Sequence, residues 1–342
     1  MAARVRAAAA FCIALTLPAC APPVHPVAEE RTPLLWPADP AAARIAFVKT
    51  FSQPDDLGIA KGFFQRLADV VFGGTDAHLV RPMAVVAVGG ILYVADPGAR
   101  GIHRFDQGKG DYTLLRAAGE RPLPSPVGLA RGAVGEVYVT DSALARVFVI
   151  RPDAKVAEPV LLRASLGQPT GIAFDPASAR LFVVDTAAHR VNVFNRDGTL
   201  ESSFGKRGTG DGEFNYPTFL WRSPDGRLYV TDSLNFRVQI FDGRGRFVAK
   251  FGRLGDGTGD HMRQKGIATD RYGHIYVVDA LFNALQVFDD SGRLLLSVGA
   301  LGRDRGEFWL PTGIYIGEND TIYVADSYNQ RVQVFRYIGG PT

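Results

Sequence analysis

Asp326 and Arg331 stand five residues apart in the segment YVADSYNQRVQVF, residues 323–335, with Asn329 between them. A carboxylate close to a guanidinium is suited to two different tasks. It can orient groups and stabilise charge in an active site, or it can hold strands and turns together through charge-assisted hydrogen bonds. Because an active site needs such a pair once, the number of copies in the chain distinguishes the two interpretations.

The segment occurs six times along the chain. Its aspartates are separated by 45, 44, 47, 47 and 47 residues, and four copies also carry the arginine. This repetition predicts a structural role, in which each aspartate accepts hydrogen bonds from turn amides and each arginine bridges to it or to a neighbouring repeat. The residues assigned to this motif are Asp96, Asp141, Asp185, Asp232, Asp279 and Asp326, with Arg146, Arg190, Arg237 and Arg331.

Each copy lies within a larger repeated unit. A unit begins with a segment such as PTGI at 311–314, and glycine-containing turns separate its short apolar runs, so each unit predicts four antiparallel strands. Six four-stranded units that repeat every 44 to 47 residues are typical of a β-propeller, in which every blade packs on its neighbours. The predicted fold class is therefore all-β, a six-bladed β-propeller of four-stranded antiparallel blades.

The last unit lacks its fourth strand, because only residues 336–342 follow the third one. The segment RIAFVKTF at 44–51 is similar to the fourth-strand segment RFVAKF at 246–251. We therefore predict that residues 44–51 complete the last blade and close the ring, which removes an otherwise open sheet edge.

The units resemble NHL repeats, which begin with Pro-x-Gly-Ile, continue with Tyr-Val-x-Asp-Ser-x-Asn-x-Arg-Val-Gln-Val-Phe and end in a glycine-rich exit. The resemblance covers residues 44–51 and 82–335 and is clearest in the fourth and sixth units. The first unit has Gly101 and the fifth has Ala284 where the repeat has arginine. Some six-bladed enzymes that resemble this fold carry a metal at the top of the central channel, held by histidines in an amidating lyase and by acids and asparagine in gluconolactonase-like relatives.

Residues 1–19 predict an export signal. Arg4 and Arg6 precede an apolar stretch at 7–17, which is too short to span a bilayer. The segment LPAC at 17–20 resembles a bacterial lipobox, so Cys20 is predicted to carry the lipid. The alternative is an ordinary cleaved signal with an incidental cysteine. Ala21 is not the aspartate that resembles an inner-membrane retention signal, which implies an outer-membrane location in a Gram-negative host.

The remaining chain divides into a tether and a folded body. Residues 20–43 are rich in proline and predict a semi-extended tether, and residues 44–342 predict the propeller. Residues 52–81 form a long connection in which the segment KGFFQRLADVVF at 61–72 predicts a short amphipathic helix. We expect this helix on the same face as the loops between blades.

One face of the predicted ring carries the candidate binding residues. Connections between blades and turns between second and third strands share this face, and aromatic and cationic side chains there favour recognition. The candidates are Tyr216, Phe219, Phe236, His261, Arg263, Lys265, Phe282, Trp309 and Tyr328. No metal or cofactor is predicted, because the common hydrolase and metalloprotease motifs are absent and four histidines stand at different offsets from their blade aspartates. These are His103, His189, His261 and His274.

These features predict a non-enzymatic cell-envelope lipoprotein scaffold. It binds a protein, peptide or glycan through this face and attaches to the membrane by its N-terminal lipid only. The alternative is a metal-dependent lyase or lactonase at the mouth of the central channel. Cytoplasmic NHL propellers bind RNA, but loss of residues 1–19 lowers the formal charge from 38 − 35 = +3 to 36 − 35 = +1. A nearly neutral exported chain gives no reason to expect a nucleic-acid partner.

Overall fold

The computed structural model describes residues 33–38, 41–59, 77–119 and 121–340. Within these ranges the regular elements are β-strands and four short 3₁₀ turns, at Pro54–Leu57, Ser233–Asn235, Glu318–Asp320 and Ser327–Asn329. The strands form antiparallel four-stranded units around a ring, which confirms the all-β six-bladed propeller. No helix in this part of the chain is long and apolar enough to cross a membrane. The predicted signal segment, Cys20 and the predicted helix at 61–72 lie outside the described residues.

Each of the first five blades consists of four strands, numbered from the channel outward in chain order. Blade 1 contains β3 (Ala84–Val88), β4 (Ile91–Asp96), β5 (Gly101–Asp106) and β6 (Asp111–Ala117). Blade 2 contains β7 (Pro126–Arg131), β8 (Val137–Asp141), β9 (Arg146–Ile150) and β10 (Val156–Pro159). Blade 3 contains β11 (Pro169–Asp175), β12 (Arg180–Asp185), β13 (Arg190–Phe194) and β14 (Leu200–Phe204). Blade 4 contains β15 (Pro217–Arg222), β16 (Leu228–Asp232), β17 (Arg237–Phe241) and β18 (Phe247–Phe251). Blade 5 contains β19 (Gln264–Thr269), β20 (Ile275–Asp279), β21 (Ala284–Phe288) and β22 (Leu294–Val298).

Blade 6 is assembled from both ends of the described chain. Its first three strands are β23 (Ile314–Ile316), β24 (Thr321–Asp326) and β25 (Arg331–Tyr337), and its fourth is β2 (Ile45–Phe51). The antiparallel register between β2 and β25 runs from Ile45 opposite Tyr337 to Phe51 opposite Val332. This confirms the predicted closure of the ring. Burial of apolar side chains stabilises the closed arrangement, because Ile45 and Phe51 are fully buried in the completed blade.

A fifth strand extends blade 6 beyond the sequence expectation. β1 (Leu35–Trp36) pairs with β2, although these residues fall in the segment predicted to be a tether. The ring of Trp36 packs edge-on against Phe335 at a centroid distance of 5.7 Å. Burial of this aromatic pair explains why the chain is held here.

Neighbouring blades pack through their first strands. β3, β7, β11, β15, β19 and β23 each contact the next in this order, and β23 returns to β3. Blades 1 and 2 are also joined at their outer edges, because β6 and β10 pair in parallel. Glycine allows the close approach in several first strands: a Cβ atom on Gly171 would lie 2.6 Å from the amide nitrogen of Leu220 in the next blade.

The hydrophobic core lies between the blades. The second and third strands of blades 4 and 5 are buried along their whole lengths. Large side chains such as Phe182, Phe241, Phe288 and Phe335 fill the spaces between adjacent sheets. Burial of both faces of each blade accounts for the apolar strands and leaves the connections to carry the polar and functional residues.

Candidate functional site

The antiparallel order places two kinds of connection at the same end of every blade. We call this end the loop face. It comprises the blade connections 52–59, 77–83, 118–119, 121–125, 160–168, 205–216, 252–263 and 299–310, and the second-to-third turns 97–100, 142–145, 186–189, 233–236, 280–283 and 327–330. We call the opposite end the turn face. It comprises the first-to-second turns 89–90, 132–136, 176–179, 223–227, 270–274 and 317–320, and the third-to-fourth turns 107–110, 151–155, 195–199, 242–246 and 289–293.

The repeated aspartate fastens the loop face to the strands beneath it. In blade 6 the buried carboxylate of Asp326 accepts hydrogen bonds from the amide of Trp309 at 2.8 Å and from the side chain of Asn329 at 2.9 Å. The guanidinium of Arg331 donates to it at 2.7 Å. Burial raises the pKa of Asp326 above its ordinary value, although these three hydrogen bonds act to lower it. The carboxylate therefore belongs to a closed hydrogen-bond network, not to an open site.

The arginine of the same motif holds the connection that precedes the blade. Arg331 donates to the carbonyl oxygens of Arg303, Asp304 and Glu307 at 2.7 to 2.8 Å. Arg237 makes the equivalent contacts in blade 4, where it also donates to Asp232 at 2.8 Å. In blades 1, 2, 3 and 5 the corresponding aspartates accept hydrogen bonds from backbone amides of the loop face. The described contacts include no ion pair between Arg146 or Arg190 and the aspartate of its own blade.

Aromatic side chains cluster on the loop face at blades 4 and 6. The rings of Trp309 and Tyr328 lie 5.7 Å apart, and the guanidinium of Arg303 lies 5.0 Å from the Trp309 ring. Tyr328 is 54% exposed. Tyr216 is also exposed, and its ring packs edge-on against His189 at 4.6 Å. These rings are fixed by neighbouring contacts but retain surface for a partner.

The remaining predicted binding residues occupy different environments. Arg263 is exposed, and Phe236 and Phe282 are half-buried within their turns. Lys265 is half-buried in the first strand of blade 5, where burial, followed by the nearby charge of Arg263, lowers its pKa to about 8. These four side chains belong to blades 4 and 5.

The side chains of two predicted binding residues pack into the interior and not on the surface of the loop face. His261 is fully buried, with its ring 5.6 Å from that of Phe288. Phe219 lies in β15 and packs against the core between blades 4 and 5, because it occupies the position that is glycine in several other first strands. Sequence patterns did not reveal that these two side chains turn inward, since both stand beside residues of exposed loops.

Exposed apolar side chains concentrate on the loop face. Among the described residues sixteen large apolar side chains are exposed, ten of them within the loop-face ranges and two within the turn-face ranges. The ten are Val80, Leu144, Leu161, Tyr216, Leu234, Leu254, Met262, Leu281, Leu301 and Tyr328, and the two are Val134 and Tyr272. The loop face thus carries more of the exposed apolar side chains than the turn face does.

A cavity of about 550 Å³ lies between the first strands in the central channel and reaches the turn face. Its lining includes Trp221 and Tyr315, which are not among the binding residues predicted from the sequence. The sequence does distinguish these two residues. When the six first strands are aligned, Trp221 and Tyr315 stand where the other blades have alanine or valine.

The histidines lie apart in the structure. Buried His103 contacts Tyr112 and lies 3.5 Å from Asp96 in blade 1, whereas the imidazole of His274 forms a hydrogen bond of 2.7 Å with Asp270 near the turn face. Within the described ranges no three side chains of histidine, cysteine, aspartate or glutamate come together as a metal-binding group.

Two protein families match parts of this chain. The NHL repeat family matches residues 308–335, which span blade 6 from the end of its loop-face connection to its third strand. A family described as a 6-bladed beta-propeller matches residues 222–281. The chain is a six-bladed β-propeller that contains an NHL repeat. The propeller is also similar to peptidylglycine alpha-amidating monooxygenase of Rattus norvegicus, with 28% identity over 121 residues. That match covers 31% of this chain and 12% of the rat protein, so the chain spans a small fraction of its curated relative.

Solved structures share the fold of this propeller. It is similar to an auxiliary nutrient binding protein from Bacteroides thetaiotaomicron, with a TM-score of 0.61 and 12% identity over 77% of this chain and 71% of that one. It is also similar to virginiamycin B lyase from Staphylococcus aureus, with a TM-score of 0.56 and 15% identity over 85% of this chain and 99% of that one. At such identities the similarity establishes the fold alone.

Proposed function

We propose that this propeller is a non-enzymatic envelope lipoprotein that binds a protein, peptide or glycan through its loop face. The observation that carries the proposal is the concentration of exposed apolar side chains on that face. Monomeric soluble proteins rarely leave such residues together without a partner. Among the three partner classes, a protein is favoured because a folded partner covers a broad apolar surface.

The aromatic cluster at blade 6 is the proposed centre of this contact. Trp309 and Tyr328 present large rings whose positions are already fixed, so little conformational entropy is lost when a partner covers them. Arg303 beside Trp309 supplies a cation at the same place. Aromatic residues and arginine are enriched in the energetic centres of protein interfaces.

Membrane attachment through Cys20 completes the proposal. The proline-rich segment between Cys20 and β1 is the proposed link between the lipid and the propeller. A propeller held in this way at the outer membrane reaches partners in the envelope while its fold remains independent of the bilayer.

The proposal is tested by capture of partners from envelope extracts of the native host. We expect Tyr328→Ala and Trp309→Ala to lose the captured partner, because both remove apolar surface from the proposed centre. Tyr272→Ala serves as the matched control, since Tyr272 is an exposed tyrosine on the turn face. If Tyr272→Ala weakens capture as much as Tyr328→Ala, or if neither loop-face change affects it, the loop face is not the binding surface.

A further inference from the structure

The channel cavity is a second site, separate from the loop face. Its volume of about 550 Å³ lies in the range of small-molecule sites. First strands of all six blades wall it, and it reaches the turn face at residues 223–224, 270–271 and 317–320. No described residue of the loop face lines it. The cavity is therefore lined by other residues than the binding surface proposed above.

Two aromatic residues make the wall of the cavity asymmetric. Equivalent positions in the six first strands carry Val86, Ala130, Ala173 and Ala268 in four blades, but Trp221 in blade 4 and Tyr315 in blade 6. The two rings meet across blade 5 at a centroid distance of 6.1 Å and an interplanar angle of 69°. Small residues on the other blades leave the space that these rings border.

Hydrogen bonds fix both rings in place. The indole nitrogen of Trp221 donates to the hydroxyl of Thr269 at 2.9 Å. The hydroxyl of Tyr315 donates to the carbonyl oxygen of Ala87 at 3.1 Å and accepts from the guanidinium of Arg131, also at 3.1 Å. Because their polar atoms are already satisfied, the rings offer apolar surface to a ligand without rearrangement.

Charged residues surround the cavity at the turn face, and they differ in how firmly they are paired. Arg222 contacts Asp175 at 2.8 Å, and Arg271 contacts Asp320. Arg131 has a longer contact of 3.6 Å with Glu318, whose side chain is 84% exposed. Of Arg131, Arg222 and Arg271, Arg131 therefore has the weakest ion pair, and a ligand that binds its guanidinium displaces the least favourable existing contact.

We propose that this cavity binds a small organic acid with an apolar or aromatic body. The body packs against Trp221 and Tyr315, and the anionic group accepts hydrogen bonds from Arg131 at the rim in place of Glu318. A guanidinium matches the geometry of a carboxylate or sulfonate through paired N–H donors. The site completes only when the ring closes, since its three defining residues come from blades 2, 4 and 6.

Two matched fluorescent probes test this assignment on the purified protein. 8-Anilinonaphthalene-1-sulfonate carries an aromatic body and one anionic group, and N-phenyl-1-naphthylamine has the same aromatic body without the sulfonate. We expect saturable binding at one site per chain, with the sulfonate probe bound more tightly. Arg131→Gln is expected to weaken the sulfonate probe about tenfold, because a charge-assisted hydrogen bond is lost, and to leave the neutral probe unchanged.

Control variants separate this site from other surfaces. Arg293→Gln removes an exposed arginine from a third-to-fourth turn on the same face, outside the cavity, and should leave both probes unaffected. Tyr328→Ala should also leave both unaffected, so failure of the cavity assignment and failure of the loop-face proposal are distinguishable. Trp221→Phe is expected to weaken both probes. The assignment would be overturned if neither probe bound saturably or if the two probes bound with equal affinity. It would also be overturned if Arg131→Gln and Arg293→Gln weakened binding of the sulfonate probe equally.

Discussion

At the scale of single residues, His261 is the least expected feature of the core. It occupies in blade 5 the position that Phe214 and Phe308 occupy in blades 4 and 6, and each of the three rings lies over a glycine. Neither ring nitrogen of His261 has a hydrogen-bond partner within the described residues. Burial lowers its pKa to about 4 from 6.5, because a charged imidazole cannot be solvated among apolar rings.

We expect His261→Phe to stabilise the protein, and increasingly so at acidic pH. Between pH 6.5 and about 4 the unfolded chain takes up a proton at this histidine while the folded protein does not, so stability falls as the pH falls through this range. The phenylalanine variant has no ionisable group at this position, so it does not lose stability in this way. The difference in free energy of unfolding should grow by up to about 3 kcal/mol as the pH falls to 4, measured by urea denaturation at several pH values.

The reciprocal variant Phe308→His is the matched control. It should lower stability and introduce the same pH dependence in blade 6, since the surroundings of the two rings are equivalent. A parallel pH dependence of stability in His261→Phe and the unmodified protein would show that His261 is not kept neutral by burial.

Arg331 illustrates how a repeated polar motif stabilises a loop. We expect Arg331→Ala to lower the free energy of unfolding by about 3 kcal/mol, because it removes the cation paired with the buried carboxylate of Asp326 and one hydrogen-bond donor from each of three carbonyl oxygens of the preceding connection. Arg146→Ala alters the equivalent position of blade 2, where the side chain is exposed, and should change stability by less than about 0.5 kcal/mol. Equal losses in the two variants, measured by urea denaturation, would contradict the assigned role.

At the scale of strands, the distance between neighbouring first strands determines which residues the repeat tolerates. Gly171 and Gly266 face the backbone of the next blade so closely that an added Cβ atom would lie 2.6 Å from a backbone nitrogen. In blade 4 this position holds Phe219, whose ring packs with the core between blades 4 and 5. The same repeat position thus serves close packing in one blade and fills a gap in another.

Gly171→Ala should therefore be strongly destabilising. Because the obstructing atoms belong to the backbone of β15 and cannot rotate away, we expect a loss of about 3 kcal/mol or more in thermal or urea unfolding. Gly108→Ala is a suitable control, since its added Cβ atom would meet only the Asp106 side chain at an ordinary 3.6 Å. Similar stabilities of the two variants would mean that the first strands can separate without cost.

At the scale of the whole molecule, the proposed lipid anchor can be tested separately from the ring. We expect Cys20→Ala to release the protein from membranes into the soluble envelope fraction, because the lipid is the predicted attachment. Cys12→Ala, which changes the cysteine inside the predicted signal segment, should leave the protein in the membrane fraction. Fractionation followed by intact-mass measurement checks both. Retention of Cys20→Ala in the membrane would contradict a lipid anchor at this position.

The repeated sequence was sufficient to predict the ring. Six aspartates at near-equal spacing, turn glycines and a missing fourth strand together specified six blades and the closing strand at 44–51. These features are local, because strand alternation and turn chemistry depend on neighbouring residues. Pairing of β1 with β2 was not predicted, since two apolar residues within a proline-rich segment give too short a pattern.

The tertiary structure decided where individual side chains point and what they enclose. The inward placement of His261 and Phe219 depends on the space between adjacent blades, which no local pattern encodes. The contact between Arg131 and Tyr315 joins residues 184 positions apart, and the cavity exists only where first strands of all six blades meet. The sequence by itself therefore determined the six blades and the strand that closes the ring. The tertiary structure decided the channel site, because that site depends on distances between blades that are remote in the chain.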